Sequence, residues 1–180
     1  MAEGSLIESG QVEHAARRRL PFVLRVALIY LSARVVTTGF FAIAAALAGP
    51  GTRFGPHAGI GDLLMGWDAQ WYWYVAVNGY PSVLPLTDSG QVAENQWAFL
   101  PVYPYLAQAI GVPFGAWAIG GIVISLVAGY LSCLVLYRML RMRLDRGAAT
   151  WGVVFFAFAP LAAVFQIGYA ESLFLLWLFL

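Results

Sequence analysis

Leu20–Ala48 reads LPFVLRVALIYLSARVVTTGFFAIAAALA, twenty-nine residues in which only Arg25 and Arg34 are charged. A helix needs about 20 apolar residues to cross the hydrocarbon of a bilayer, so this stretch predicts a tilted span. The whole chain agrees: 61% of its residues are hydrophobic and 11% charged, against about 25% charged in an ordinary soluble domain. Ala46-Leu47-Ala48 has the form of a signal-cleavage site. The apolar run of a secretory signal is only about 7–15 residues, however, so an uncleaved first span is expected. Residues 1–19 are polar, end in Arg17-Arg18-Arg19 and read as a cytoplasmic tail.

Downstream, residues 49–113 form a long loop region rich in glycine, proline and aromatics. Within it Asp68, Trp71, Tyr72 and Val75 fall at helical spacing on one face, and Trp67, Trp71, Tyr72, Trp73 and Tyr74 suit a helix lying at a membrane interface. Asn78-Gly79-Tyr80-Pro81 ends it. Ala98–Val112 is apolar but holds Pro101 and Pro104, so a short or re-entrant helix is expected. A second span follows at 114–140. Its Gly121, Ser125, Gly129 and Cys133 recur every four residues, as a packing face does. A third span at 148–167 is interrupted by Pro160, and residues from 172 onward begin a fourth helix. The nine residues from Ser172 to Leu180 are too few to cross a bilayer, so the sequence reads as the N-terminal part of a longer chain.

Arginine placement orients these spans. Arg17, Arg18 and Arg19 precede the first span, and Arg138, Arg141, Arg143 and Arg146 cluster after the second. The long first loop holds only Arg53. By the positive-inside rule the tail and the 138–146 cluster are cytoplasmic, and loop 49–113 and the 168–171 turn face outward. The expected fold class is an all-α integral membrane protein, a polytopic helical bundle whose outward first loop carries an interfacial helix. All ten basic residues are arginine, which with the abundant alanine and glycine fits a GC-rich genome and a bacterial cell membrane. No basic stripe lies outside the loops flanking the spans, so nucleic acid is not an expected partner.

Several residues carry candidate chemistry. Asp68 is the one acid inside the aromatic helix, a poorly solvated position suited to proton transfer; a helix N-terminal charge would look the same. Asp62 ranks below it because it lacks the aromatic setting. Arg34 lies about 21 Å into the first span at 1.5 Å per residue, where a charge needs a partner. A phosphate or Glu171 is the expected counter-ion. Glu171 sits at the outer turn and reads either as a site residue or as a solvated helix-terminal charge. Asn95 and Gln96 either bind hydroxyl groups or cap the short helix that follows. His57 reads as solvated, Cys133 as a packing residue, and Arg25 as a snorkelling, structural charge.

The motifs resemble a known family. Gly66-Trp67-Asp68-Ala69-Gln70-Trp71-Tyr72 with Asn78-Gly79-Tyr80 resembles the first outer-loop motif of the PIG-V-like mannosyltransferases, the family of GPI mannosyltransferase 2. Phe99-Leu100-Pro101-Val102-Tyr103-Pro104 resembles their F-F-P-x-Y-P segment, and Tyr169-Ala170-Glu171-Ser172-Leu173-Phe174 their Y-S-E-S-L-F turn. Leu100 and Ala170 depart from the pattern, and no D-x-D is present. The resemblance covers residues 66–180, about the N-terminal half of such a protein. It implies a GT-C-like bundle that moves a sugar, mannose in this family, from a polyprenyl-phosphate donor to a glycolipid or cell-envelope acceptor on the outer side with inversion. It also implies Asp68 as general base, Arg34 on the donor phosphate, Trp67, Trp71 and Tyr72 against the sugar, and no required metal or cofactor.

Two other classes compete. A lipid-linked sugar transporter or flippase would carry midplane charges and internal repeats, and the sequence shows no repeat. A non-enzymatic scaffold subunit would tolerate loss of Asp68.

Overall fold

The computed structural model describes residues 20–180, and among them it is all-helical apart from one isolated antiparallel bridge between Leu86 and Val92. The expected cytoplasmic tail, residues 1–19, lies outside the described residues. Two long helices frame the molecule: α1, Phe22–Ala46, and α5, Trp117–Arg141, each of 25 residues. At 1.5 Å per residue each runs about 37 Å, and the hydrocarbon core of a bilayer is about 30 Å thick. Among the described residues these are the two helices long and apolar enough to cross a membrane.

Between them lie three shorter helices: α2, Ile60–Leu64; α3, Asp68–Asn78; and α4, Val102–Gly111. The aromatic helix expected from Gly66 onward is therefore α3. It ends at Gly79, whose φ of 69° is a conformation that favours glycine. The proline-containing helix expected over 98–112 is α4, which starts one residue after Pro101.

The expected third span, 148–167, is not a single helix. Helix α6, Arg146–Phe158, stops before Pro160, and Pro160–Phe165 winds as a tighter 3-10 turn. Proline has no N–H, and its ring both clashes with the preceding turn and pushes the residue before it out of helical geometry. Ala159 accordingly takes φ −56° and ψ 146°. The 13 residues of α6 reach only about 20 Å, short of a full crossing. A last helix, α7, follows at Glu171–Phe179.

Helix α5 is the hub, packing against α1, α4, α6 and α7. Close approach to α4 depends on Gly120, where an added methyl would overlap the carbonyl oxygen of Ala107. Gly129 is also close-packed, against the Tyr30 hydroxyl and Phe165. The small-residue stripe thus packs as expected. Two apolar clusters result. One gathers Val26, Tyr30, Cys133, Val153 and Phe165, and the other Ala76, Tyr103, Ala107, Trp117 and Ile124. On its outward side α1 leaves Leu28, Leu31, Val35, Phe40 and Ile43 exposed.

Helix α1 is tied to the break in α6 by polar side chains. Stopping a helix leaves its last carbonyls without N–H partners and with partial negative charge. Arg34 meets that need: Nη2 donates to the Ala157 carbonyl at 2.7 Å and Nη1 to the Ala162 carbonyl. Its guanidinium lies 5.1 Å from the Tyr30 ring centre and 5.4 Å from that of Phe165. Gln166 Nε2 donates to the Thr38 hydroxyl at 2.7 Å beside it.

Candidate active site

The site is built where α3 begins. Gly66 is buried, and a Cβ there would run into the Phe54 ring. Phe54 in turn meets Trp67 edge-on at 5.1 Å, and the Arg53 guanidinium lies 5.9 Å from the Trp67 ring centre. Held this way, Trp67 adopts φ 50° and ψ −119°, the one positive φ at a non-glycine position among the described residues. Such backbone costs about 1–3 kcal/mol and clusters at functional positions. The next residue, Asp68, is the first of α3 and is exposed, not poorly solvated as its aromatic neighbours suggested, because the start of the helix turns its side chain outward.

The three motif segments meet here. The Asp68 backbone N–H donates to the Tyr169 hydroxyl at 3.4 Å. Gly168 N–H donates to the Leu64 carbonyl at 3.0 Å, which holds the 168–171 turn against the α2–α3 junction. From the remaining segment, 99–104, Phe99 stacks on Trp71 at 6.1 Å and meets Tyr72 edge-on at 5.0 Å, while Tyr103 meets Tyr72 edge-on at 5.0 Å. Phe99 is itself fixed through its carbonyl, which accepts from the Tyr80 hydroxyl at 2.7 Å. Beneath them Ser125 Oγ donates to the Tyr169 carbonyl at 3.0 Å, and the Tyr103 hydroxyl donates to the Gly121 carbonyl at 2.9 Å.

The electrostatics follow from this crowding. Burial raises the Glu171 carboxyl above its usual range, with the Asp68 charge adding to the shift. Its Oε2 is buried without a hydrogen-bond partner. Tyr72 is pushed up to about 12, first by burial and then by Glu171 and Asp68. Burial likewise raises Tyr169, again with Asp68 and Glu171 adding. An exposed carboxylate and a half-buried one thus lie near the same two phenols, Tyr72 and Tyr169. Two acids in unlike surroundings are the usual way to divide acid and base roles. Beside α3 a cleft of about 530 Å³ runs between Met65, Ala69, Trp73 and Tyr74 on one side and Trp117 on the other.

The candidates from the sequence divide. Asp68, Trp67, Trp71, Tyr72 and Glu171 come together. Arg34 does not join them: it is only 5% exposed, and carbonyls rather than a phosphate or Glu171 take its N–H groups. The extra partner that its depth demanded is the broken end of α6. Asn95 is also committed elsewhere. Its Oδ1 accepts from Trp97 N–H at 2.9 Å and its Nδ2 donates to the Ala93 carbonyl at 2.8 Å, so it caps the short turn Gln96–Ala98. Gln96 is the first residue of that turn. Asp62 accepts from Gly59 N–H at 2.8 Å and caps α2. Sequence reasoning passed over Tyr169, Ser125 and Arg53. Tyr169 stood in a quoted motif, whereas Ser125 was hidden in the small-residue stripe.

No family model, curated protein or solved structure matches the chain. The functional reading therefore rests on the geometry and on the order of the motif segments.

Proposed function

We propose that the chain acts within a polytopic membrane glycosyltransferase of the GT-C type. It transfers a sugar, mannose by the motif resemblance, from a polyprenyl-phosphate donor to a glycolipid or cell-envelope acceptor on the outer face of a bacterial cell membrane. The observation that carries the reading is the meeting of residues 66–72, 99–104 and 168–171 around the start of α3, through the Asp68–Tyr169 hydrogen bond and the Phe99–Tyr72–Tyr103 contacts. Segments so far apart in sequence converge on one acid set among aromatic rings, which suits a sugar. The membrane setting is supported by two 25-residue apolar helices, the first of them mostly exposed along its length. The core helix of a soluble protein would be covered.

In this reading Asp68 takes the proton of the acceptor hydroxyl as its oxygen attacks the anomeric carbon. The bond from that carbon to the phosphate oxygen breaks, and the phosphate leaves with the electron pair. Attack from the opposite face inverts the centre. Glu171 holds a sugar hydroxyl. Arg53, exposed above Trp67, takes the donor phosphate in place of Arg34. The apolar cleft beside Trp73 and Trp117 takes the start of the polyprenyl chain.

The test is sugar transfer by the chain in membranes supplied with polyprenyl-phosphate mannose and envelope glycolipid. Positioned general-base catalysis is worth about 10²–10⁴-fold, so Asp68→Asn should lower turnover by about that factor at unchanged membrane abundance. Equal turnover in Asp68→Asn and wild type overturns the assignment. A wild-type chain that moves labelled donor across the bilayer without transferring its sugar would favour the transporter reading.

A further inference from the structure

A second polar site lies where α1 begins, α5 ends and α6 begins. Ser125 and Tyr137 are twelve residues apart on α5, so about 18 Å of helix separates this site from the first. An opening of about 550 Å³ is lined there by Phe22, Arg25, Tyr137, Arg141 and Arg146. Its floor is rigid. Phe22 stacks on Tyr137 at 5.6 Å and 11°, and Arg138 lies 5.3 Å from the Phe22 ring centre on α1. Arg25 donates from Nη2 to the Tyr137 hydroxyl at 3.0 Å, and its buried Nε has no partner.

The charge here is one-sided. Residues 20–26 and 137–146 hold five arginines and one acid, Asp145. That acid is already engaged, since its Oδ1 accepts from Gly147 and Ala148 N–H at 2.6 and 3.1 Å as the cap of α6. The partial negative charge of the α5 C-terminus, about half an elementary charge, offsets only a fraction of the excess. Helix α1 adds to it: its first turn holds no acid, and no side chain caps its N–H groups. Leu20, Val23, Leu24 and Met142 are exposed around the opening.

We propose that this opening binds the phosphate of an anionic phospholipid headgroup. Arg141, whose Nη1 already donates to the Leu144 carbonyl, and Arg146 hold the phosphate oxygens with their remaining N–H groups, the Arg25 charge and the α1 N-terminus add to the anion cradle, and the acyl chains lie along Leu20, Val23 and Leu24. Arginine suits the role because its planar fork matches phosphate oxygens, and basic openings between spanning helices on the cytoplasmic side recognise such headgroups. The exposed leucines favour a lipid over a free phosphate ester. The proposal rests on reading α1 and α5 as membrane spans, and is independent of sugar transfer.

The experiment titrates the purified chain in neutral detergent with dioctanoyl-phosphatidylglycerol, dioctanoyl-phosphatidylcholine and inorganic phosphate, with bound ligand read by native mass spectrometry and Tm. Phosphatidylglycerol should bind saturably and raise Tm, and the zwitterionic lipid should bind at least ten-fold more weakly. Arg141→Gln with Arg146→Gln, both exposed positions, should weaken phosphatidylglycerol about thirty-fold. The paired lysine variant, which keeps the charge but not the fork, should fall between wild type and the glutamine pair, which separates lost charge from a damaged fold. Equal binding of the two lipids, or unchanged affinity in the double glutamine variant, overturns the proposal. Inorganic phosphate binding as tightly as phosphatidylglycerol would keep the anion site but overturn its lipid source. Release of the chain from membranes by alkaline carbonate would instead overturn the spanning reading, whatever the fate of the Asp68 test.

Discussion

Arg34 on α1 donates from Nη2 to the Ala157 carbonyl at 2.7 Å, closing the end of a helix 123 residues further along the chain. A leucine at position 34 would take away the donor that the buried Ala157 and Ala162 carbonyls now share. An abandoned buried acceptor costs about 1–3 kcal/mol. Arg34→Leu should therefore lower Tm in detergent clearly. Arg34→Lys should fall between, since an ammonium lacks the fork that spans both carbonyls. In the transfer assay the Lys variant should keep the wild-type donor KM. A selective rise in donor KM without loss of Tm would return Arg34 to the phosphate.

Glu171 gives a pH signature. Its carboxyl is raised in the fold above the ordinary value of 4.5, chiefly by burial. Below 4.5 both folded and unfolded chains hold the proton and the group is neutral to stability. As pH rises past that value, the unfolded chain loses its proton while the folded chain keeps it, so stability declines until the folded group has also ionised. Glu171→Gln lacks this decline. The Tm of the variant should exceed that of wild type by a margin that grows from pH 4.5 upward and then levels off. A margin independent of pH would mean that the carboxyl is solvated.

Glycines at two helix positions should respond in opposite ways to alanine. At Gly120 a methyl would overlap the Ala107 carbonyl, which is backbone and cannot swing aside. Gly120→Ala should push α4 off α5 and lower Tm strongly, or prevent folding. Gly39, on α1, has nothing within 4 Å of an added Cβ. Gly39→Ala should stabilise by about 0.5–1 kcal/mol through helix propensity. Chemical or thermal unfolding of the two variants side by side gives the contrast.

The orientation has its own test. Ser89 is exposed in the first loop, and Cys133 is buried. In a Cys133→Ala background, Ser89→Cys should react with an impermeant maleimide on intact cells. Reaction only after permeabilisation would put the Asp68 site in the cytoplasm.

Much of this architecture is legible in the residues, and the failures have causes. The two long helices and α3 follow from local composition and turn chemistry, which act over a few residues. Pro160 was visible too, but hydropathy carried the expected span straight through it, because apolar character does not register a missing N–H. Asp68 stood out through its aromatic neighbours on the same helix. The role of Arg34 was not legible: its partners are carbonyls, which every residue owns, so no side-chain pattern announces them. Asn95 was ambiguous for a similar reason, since a capping amide and a ligand-binding amide look alike until the N–H of Trp97 is in place.

The Arg34 contact also sets an order of events during synthesis. A chain that enters a bilayer from its N-terminus inserts α1 long before residues 157–162 exist. An arginine near the centre of a helix opposes insertion by about 2.5–3.5 kcal/mol, and through that interval nothing in the finished contact is available to offset it. If α1 is a span, its own apolar side chains must carry that cost until the late-made partner arrives. Truncations that end before Ala157 should be degraded, whereas those that end just beyond Ala162 should accumulate.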